Sequence, residues 1–369
     1  MTTKSEERQQ EQAASNRTMN LILLQFSELE DAARASASTS LPAEGNSPKR
    51  HKSDDAEASV RTKVVRLDSN DPRAKHIAQH LRKRTGDQVS VGIINGSKGK
   101  AIVNVDEPSD TDDGGDGAAA EKKKKKKGGP KVTLELTFDP ARDAQTQQPE
   151  MTLILAIPQP KRLQKLWSVI SQMGVTRIIL IRAKLSPFGT HCQSSKFNEE
   201  NYRALIEEGM AQGAHTREVR VDVEVDEVIS PAVLQRLGLT SSTDGDGKAN
   251  TTDDMDTGDS SANHRQARLF LDCGDESGMV VPPARGVVME ACALTDQSHT
   301  PASTVVPSAV LAIGPERGWT EEEAQLFQRG GGFRMASLGP SILRVDVAVV
   351  AGLALVSAAL DEAAANKIS

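Results

Sequence analysis

The chain has 369 residues and a formal net charge of -6, from 45 Lys and Arg against 51 Asp and Glu. That length predicts about two domains. Aromatic residues make up only 3% of the chain, which argues against a nucleic-acid surface built from several stacking rings. The three cysteines are far apart in sequence and form no C-x-x-C pair. This pattern argues against a zinc site or a disulfide scaffold and fits a reducing compartment.

No targeting or membrane segment is predicted. The longest apolar run, Val347 to Leu360, has 14 residues, whereas a membrane-spanning helix needs about 20. The first residues, MTTKSEERQQEQ, contain no apolar signal region and include several Glu. They indicate neither a secretory signal nor an acid-poor transit peptide. We expect a soluble protein, located in the cytoplasm or in the matrix of an organelle (mitochondrion or plastid).

Five polar stretches predict disorder, because they cannot bury enough apolar surface to offset the entropy of ordering. They are the N-terminus, 1–18, and insertions at about 33–59, 106–131, 241–263 and 295–307. The second insertion contains six consecutive lysines, Lys122 to Lys127. An RNA-binding arm, a solvated linker and a localisation signal all remain open for this run.

The block at 19–138, its insertions set aside, is β-like. Short runs of strand-forming residues bounded by Gly, Pro, Asp and Asn predict strands at 21–26, 62–67, 88–94, 100–105 and 131–138. One helix is predicted at Pro72 to Arg84. These elements fit a small β-barrel with a single helix.

The block at 150–362 alternates strands and helices, which predicts an α/β domain with a mainly parallel sheet. Predicted strands lie at 152–158, 177–181, 218–223, 267–272, 309–314 and 333–339. Predicted helices lie at 161–173, 198–212, 233–237, 320–328 and 342–360. The continuous apolar run TLILAIP is typical of a strand buried on both faces.

The segment IGPERGWTEEE, Ile313 to Glu323, is the first candidate ligand loop. A buried strand ends in Gly-Pro-Glu-Arg-Gly, and Thr320 with Glu323 forms a T-x-x-E capping box for the helix that follows. Ligands bind outside the carboxyl ends of parallel strands, and Gly314 and Gly318 permit a close backbone approach. Taken alone, an ordinary strand–helix turn explains these features equally well.

The segment SLGPSILRVDVA, Ser337 to Ala348, is the second candidate. A strand ends, Gly339 and Pro340 interrupt it, and an apolar helix opens with Arg344 and Asp346 near its start. A charged pair beside so apolar a helix is costly unless it is paired or reaches a cavity. The local pattern favours a simple salt bridge of Arg344 with Asp346 or Glu316.

Considered together, the two segments resemble the RsmE-type 16S rRNA (uracil-N3) methyltransferases, a family of the SPOUT superfamily. GPERGWT and SLGPSILR stand in the order and approximate spacing of the family's GPEGG and SLGPRILR motifs. PKRLQKLWSVISQMGVTRIILI is similar to its first helix and second strand, and EEGMAQGAHT to its E-x-x-E-Q segment, with Gln212 at the Gln. HIAQHLRKRTGD weakly resembles a stretch of the family's PUA-like barrel.

The resemblance implies a PUA-like RNA-binding barrel followed by a SPOUT methyltransferase domain with a C-terminal trefoil knot. It implies S-adenosyl-L-methionine as the methyl donor, N3 of a small-subunit rRNA uridine as the target, and roles in rRNA processing and ribosome biogenesis. Transferred by position, the cofactor pocket comprises Leu311, Ile313, Gly314, Glu316, Gly318, Ser337, Leu338, Gly339, Ile342, Leu343 and Arg344. Arg344 would stabilise the uracil anion, and Glu316 or Asp346 would assist deprotonation or orient Arg344. No metal is implied.

The resemblance also implies a homodimer, in which the final apolar helix is a candidate interface and core packing is its alternative. RNA contacts are expected from Arg82, Lys83 and Arg84 in the barrel and from Gln212, although the basic run is equally explained as a solvated helix end. His76 and His80 lie one helical turn apart, and a role on the helix face is preferred over metal binding.

Three departures from the family pattern motivate a second hypothesis. Arg317 replaces a family glycine, Ser341 replaces an arginine, and Asp346-Val347 replaces an ET pair. Arg317 would crowd the cofactor or point towards RNA phosphate. The alternative function is therefore a catalytically inactive SPOUT-fold RNA-binding or ribosome-assembly factor. Because Arg344 and Glu316 are retained, we favour the active enzyme.

Overall fold

The structure is a computed structural model that describes residues 21–31, 63–106, 129–140, 149–187, 198–240, 266–272, 281–294 and 307–366. The chain divides into two compact units, Met1–Gln145 and Thr146–Ser369. The predicted disordered stretches lie almost entirely outside the described residues, as does the lysine run Lys122–Lys127. Lys131 stands both at the end of a predicted insertion and at the start of the predicted strand 131–138, and in the structure it begins a strand.

The first unit contains a six-stranded, mostly antiparallel sheet. Its strands are β1 (Ile22–Leu24), β2 (Glu30–Asp31), β3 (Lys63–Leu67), β4 (Gln88–Ile93), β5 (Lys98–Asp106) and β6 (Lys131–Leu136). Their order is β1-β4-β5-β6-β3-β2, and only the β1–β4 pair is parallel. The sheet is curled into a half-barrel. Within the described part of the chain, β1 and β2 are its two edge strands and do not pair with each other.

Alternation of buried and exposed residues along these strands explains why they form one layer with one apolar face. Val132, Leu134 and Leu136 of β6 are buried and alternate with less buried neighbours. They pack with Ile22, Val91 and other buried aliphatic residues into the core of this unit.

The helix of the first unit is shorter than predicted. It comprises α1 (Pro72–Lys75) and a π-helical turn at His76–His80. Asp71 caps it by accepting a hydrogen bond from the backbone N–H of Arg73 at 2.8 Å. It ends before Arg84 because Arg82 adopts a left-handed conformation, with φ of 52°, which a helix cannot accommodate.

The second unit contains a six-stranded sheet in which every strand pair is parallel. Its strands are β7 (Glu150–Ala156), β8 (Arg177–Arg182), β9 (Arg220–Val228), β10 (Gln266–Leu271), β11 (Ser308–Ile313) and β12 (Arg334–Ala336). Their order is β12-β10-β11-β7-β8-β9. The central strands are buried almost throughout, as expected of a sheet covered on both faces. The predicted α/β class with a parallel sheet is confirmed.

Helices cover both faces of this sheet. They are α2 (Pro160–Gln172), α3 (Glu199–Gly213), α4 (Pro231–Arg236), α5 (Ala284–Leu294), α6 (Glu321–Gln325, extended by a π-helical turn at Leu326–Gly330) and α7 (Val345–Asn366). On one face, Val233 of α4 and Phe327 of the π-helical turn join a core with Phe270 of β10. The predicted elements of this unit are present, but the sequence analysis missed α5.

Helix α7 is the long apolar element at the C-terminal end. By length and composition it would suffice to cross a membrane, with a mean hydropathy of 1.8 over Val345–Ala365. It packs against α2, α5 and β11, and 44% of its most apolar window is buried inside the unit. Its Gly352 is so close to the sheet that an added Cβ would lie 2.9 Å from Cδ2 of Leu311. These contacts are those of a core helix.

Candidate functional site

Three neighbouring strands of the parallel sheet, β10, β11 and β12, end at the same edge. Leu271 ends β10, and the chain that follows the three strands provides Asp272, the GPERG loop (Gly314–Gly318) and the SLGPSILR loop (Ser337–Arg344). The carboxyl edge of a parallel sheet is the usual position of a ligand site. The fold therefore brings together the two candidate loops that are separated in sequence.

The GPERG loop is held in shape at both ends. Gly314 cannot carry a side chain without displacement, because an added Cβ would lie 3.2 Å from the indole ring of Trp319. Gly318 has φ of +75°, and its N–H donates to the carbonyl oxygen of Pro315 at 2.9 Å. This tight turn requires glycine at Gly318, since other residues rarely adopt a positive φ.

The predicted capping box follows the GPERG loop directly. The buried carboxylate of Glu323 accepts a hydrogen bond from the N–H of Thr320 at 2.9 Å, and the hydroxyl of Thr320 accepts one from the N–H of Glu323 at 3.4 Å. Glu323 also accepts the backbone N–H of Lys184, in the chain after β8, at 2.7 Å. The box thus fixes the start of α6 to a neighbouring loop as well as capping the helix.

The SLGPSILR loop has its own internal turn. The hydroxyl of Ser337 accepts the N–H of Gly339 at 3.0 Å and lies 3.0 Å from the Gly339 carbonyl oxygen, to which it donates. Gly339 has φ of +122°, a conformation essentially restricted to glycine. Backbone hydrogen bonds of 2.9 and 3.0 Å join Ser337 to Pro282 and Ala284, at the start of α5. The missed helix therefore helps to position this loop.

A cavity of about 320 Å³ lies between the loops. The predicted cofactor residues that line it are Ile313, Gly314, Glu316, Gly318, Ser337, Leu338, Gly339, Ile342 and Leu343. Two predicted residues do not line it: Leu311 is fully buried within β11, and Arg344 points elsewhere. The sequence analysis did not assign several further lining residues to the pocket: Leu271, Asp272, Pro315, Arg317, Ser341, Val345 and Ala348.

The lining combines aliphatic side chains with exposed loop backbone and a few charged groups. Ile313 at the end of β11 and the aliphatic residues of the SLGPSILR loop provide apolar walls, and Asp272, Glu316 and Arg317 provide charge. An added Cβ at Gly318 or Gly339 would meet nothing within 4 Å, so both glycines border open space. Such a cavity suits a ligand that has both apolar and charged parts. Arg317 borders the cavity without filling it.

Arg344 and Asp346 form an ion pair at the rim, where α7 begins. The Arg344 Nε lies 3.1 Å from Oδ1 of Asp346, and a second contact joins Nη2 to Oδ2. The hydrogen bond from Arg344 is the main cause that lowers the pKa of Asp346, and the same bond raises the pKa of Arg344. The Arg344 side chain is 68% exposed. It is therefore accessible to a molecule that approaches the rim.

Glu316 has partners on α2, which the sequence analysis did not foresee. Its Oε1 lies 3.4 Å from Nη1 of Arg162 and 3.4 Å from the backbone N of Gln159. The carboxylate thus lies at the N-terminus of α2, where a negative charge is favourable. No sequence signal marked Arg162, because 154 positions separate it from Glu316.

The other predicted residues lie away from this cavity or in the other unit. Arg82, Lys83 and Arg84 follow the π-helical turn of the first unit, with Arg82 and Arg84 exposed. Gln212 lies near the end of α3 and donates to Glu208 at 3.1 Å. His76 and His80 face each other with ring centroids 5.6 Å apart. Burial, with a further contribution from the charge of His80, lowers the pKa of His76.

The family to which the chain belongs follows from comparison with known proteins. A model of the RNA methyltransferase domain matches residues 145–280 and 289–357, more than half of the chain. The chain belongs to this RNA methyltransferase family. The matched residues include both cavity loops and the strands that precede them.

Individual relatives of this methyltransferase are distant. The ribosomal RNA small subunit methyltransferase E of Treponema pallidum is 24% identical over 294 residues, which cover 79% of this chain and 85% of that protein. The structure of ribosomal RNA small subunit methyltransferase E from Neisseria gonorrhoeae, bound to S-adenosyl methionine, is 17% identical. It has a TM-score of 0.45 and covers 79% of this chain and 90% of that one. A probable rRNA-methyltransferase from Porphyromonas gingivalis is 16% identical, with a TM-score of 0.48 and coverages of 80% and 94%.

Proposed function

We propose that this RNA methyltransferase uses S-adenosyl-L-methionine to methylate N3 of a uridine in small-subunit ribosomal RNA. The observation that supports the proposal is the cavity formed by the GPERG and SLGPSILR loops within the matched methyltransferase domain. The name of the Treponema relative supports small-subunit rRNA as the substrate class. Such an enzyme would act in rRNA processing during ribosome biogenesis.

The residues that line the cavity suit the proposed cofactor. Ile313, Leu338 and Leu343 would contact the adenosine, while backbone N–H and C=O groups of the two loops that are not engaged in the loops' own turns would bind its polar edges. When bound, S-adenosyl-L-methionine supplies the methyl group from its sulfonium. Charged groups at the cavity, Asp272 and Arg317 among them, would interact with the amino-acid end of the cofactor or with the RNA.

The protein contributes positioning and charge to the reaction. N3 of uracil becomes nucleophilic when it loses its proton, so the target base must first be unpaired and unstacked. Arg344 is exposed at the rim, and its guanidinium would stabilise the resulting anion. Asp346, held by Arg344, would orient the guanidinium. Glu316, which contacts Arg162 and the N-terminus of α2, would support the GPERG loop. Asp346 or solvent would then accept the proton from N3 of the uracil.

We propose that the first unit, 19–138, is a PUA-like RNA-binding barrel and that the second, 150–362, is a SPOUT domain with a C-terminal trefoil knot. Arg82, Lys83 and Arg84 would contact RNA phosphates, together with Gln212 of the second unit. The exposed apolar residues Val347 and Val350 lie about one turn apart on α7, 46% and 40% exposed, and would form part of a homodimer interface.

Cofactor titration by calorimetry tests the enzymatic proposal first. We expect saturable binding of S-adenosyl-L-methionine in the micromolar range, which is typical of enzyme substrates. Absence of binding at millimolar concentration would refute the proposal and favour a catalytically inactive RNA-binding or ribosome-assembly factor.

The second test is mass mapping of N3-methyluridine in small-subunit rRNA from cells that lack the protein. One N3-methyluridine should disappear, and the wild-type gene should restore it. An Arg344→Ala gene should not restore it, although the purified variant should remain folded. Full restoration by that variant would exclude Arg344 from the mechanism.

A further inference from the structure

Arg162 lies in the first turn of α2 and reaches across to the cavity. Its Nη1 is 3.4 Å from Oε1 of Glu316, and the two side chains are 30% and 24% exposed. The same carboxylate oxygen accepts the backbone N–H of Gln159 at 3.4 Å. Helix α2 has no side-chain cap of its own at Gln159. Glu316 of the GPERG loop therefore supplies the anion at the helix N-terminus, and Arg162 supplies its counter-charge.

Arg162 also acts on the second cavity loop. After the hydrogen bond from Arg344, which is the main cause, the positive charge of Arg162 is a further contribution to the lowered pKa of Asp346. Asp346 opens α7, directly after the SLGPSILR loop. The guanidinium of Arg162 thus pairs with Glu316 and contributes electrostatically to Asp346.

The contacts of Glu316 determine the direction in which its carboxylate points. Both contacts direct it towards α2, where it is matched by one formal positive charge and one N–H group. Without Arg162, a partly buried carboxylate would keep only a long backbone hydrogen bond. It would then rotate towards water or into the cavity that Glu316 lines. A negative charge turned into the cavity would oppose an anionic base at the rim.

We propose that Arg162 is a positioning residue for methyl transfer: by pairing with Glu316 it holds the GPERG loop against α2 and keeps the Glu316 carboxylate out of the reaction space. This inference rests on the proposed function, because it assigns Arg162 a part in forming the methyl-donor cavity. It acts through Glu316, so the two residues form one functional unit.

A double-mutant cycle tests the proposal, with Arg162→Gln, Glu316→Gln and both substitutions in the full chain. The affinity for S-adenosyl-L-homocysteine is measured by calorimetry, and kcat and KM with an rRNA substrate are measured in parallel. We expect Arg162→Gln to weaken cofactor binding about 5- to 10-fold and to lower kcat about 10- to 100-fold, since small displacements of a site are costly. The KM for RNA should change less than about 3-fold, because Arg162 does not bind the RNA.

The double variant should bind the cofactor about as well as the weaker single variant, because either substitution breaks the same pair. Arg162→Lys should recover most of the affinity, since it keeps the charge. Lys165→Gln removes an exposed cation from the same helix and should match wild type. The melting temperature of Arg162→Gln should shift by less than about 3 °C, because a partly exposed ion pair contributes little to stability.

The outcomes separate the positioning role from the proposed function. If wild type binds the cofactor and Arg162→Gln binds it equally well, the positioning role is refuted and the methyltransferase proposal stands. If the losses of cofactor affinity caused by the two substitutions multiply in the double variant, the positioning role is also refuted, because Arg162 would then act independently of Glu316. If wild type binds no cofactor at millimolar concentration, the proposed function fails and this inference fails with it.

Discussion

Replacement of Glu323 by alanine should destabilise the second unit and loosen the GPERG loop. The carboxylate is only 2% exposed and accepts the backbone N–H groups of Thr320 and Lys184 at 2.9 and 2.7 Å. Hydrogen bonds to a charged group contribute about 1.5–3 kcal/mol each, and the two donors would be left partly unsatisfied. We therefore expect Glu323→Ala to lower the free energy of unfolding by about 3–5 kcal/mol.

Urea unfolding followed by tryptophan fluorescence measures this loss of stability in the second unit specifically. The chain has two tryptophans, and both Trp167 and Trp319 lie in the second unit. Glu321→Ala is the matched control, because Glu321 lies in the same helical turn but is exposed. It should change the free energy by no more than about 0.5 kcal/mol.

Glu323→Gln should lower the free energy of unfolding by an intermediate amount, since an amide oxygen still accepts one hydrogen bond but carries no charge. If Glu323→Ala unfolds within about 1 kcal/mol of the Glu321→Ala control, the capping box does not anchor the loop as argued.

Three further perturbations test other parts of the structure. Gly209→Ala should destabilise the second unit by about 1–3 kcal/mol in the same urea assay, because the added Cβ would lie 2.1 Å from the backbone oxygen of Ser168 on α2; an unchanged midpoint would contradict the helix packing. Gly339→Ala should raise the Kd for S-adenosyl-L-homocysteine at least about tenfold, since φ of +122° is strained for alanine by about 1–3 kcal/mol. The Kd is measured by calorimetry, and equal Kd values for the variant and wild type would contradict a role of this turn in cofactor binding. Arg73→Gln should make the free energy of unfolding, measured by circular dichroism, depend less on pH in the acidic range. Burial, the largest single influence, raises the pKa of Glu28, but the hydrogen bond and charge of Arg73 together with the hydrogen bond from the Gln25 N–H outweigh it, so the pKa is lowered overall. This stabilisation is therefore present above the unfolded pKa of about 4.3 and is lost as pH falls through the folded value. Equal acid sensitivity of variant and wild type would exclude Arg73 as the cause.

Secondary structure was largely predictable in the second unit because the signals there are local. The strands are continuous apolar runs, and Gly174, with φ of +79°, ends α2 as its position after the last periodic residue predicted. Helix α5 was missed although its buried residues Ala284, Val287, Val288 and Cys292 have helical spacing, because the segment is short and lies between two polar stretches. In the first unit, the predicted helix was too long because nothing in the sequence marks Arg82 as left-handed.

The candidate site was only partly predictable for a related reason. Motif resemblance placed most of the lining residues, because they are contiguous within two loops. Leu311 was assigned with them, but it lies two residues before the end of β11, where its side chain packs beneath Gly352 of α7 instead of reaching the cavity. Asp272 belongs to the cavity because β10 lies between β11 and β12 in the sheet, an order that the sequence does not reveal.

The amino-acid sequence by itself determined the α/β class, the two glycine-containing loops and the capping box, and it limited the partner of Arg344 to Asp346 or Glu316. These features depend on residues within a few positions of one another, so backbone preference and spacing suffice. Only the tertiary structure decided which strands are neighbours, that the two loops enclose one cavity, and that Arg162 and Lys184 bind the carboxylates of Glu316 and Glu323. Those partners are 154 and 139 positions apart, and contacts across such distances arise from packing of the whole sheet, which no local pattern encodes.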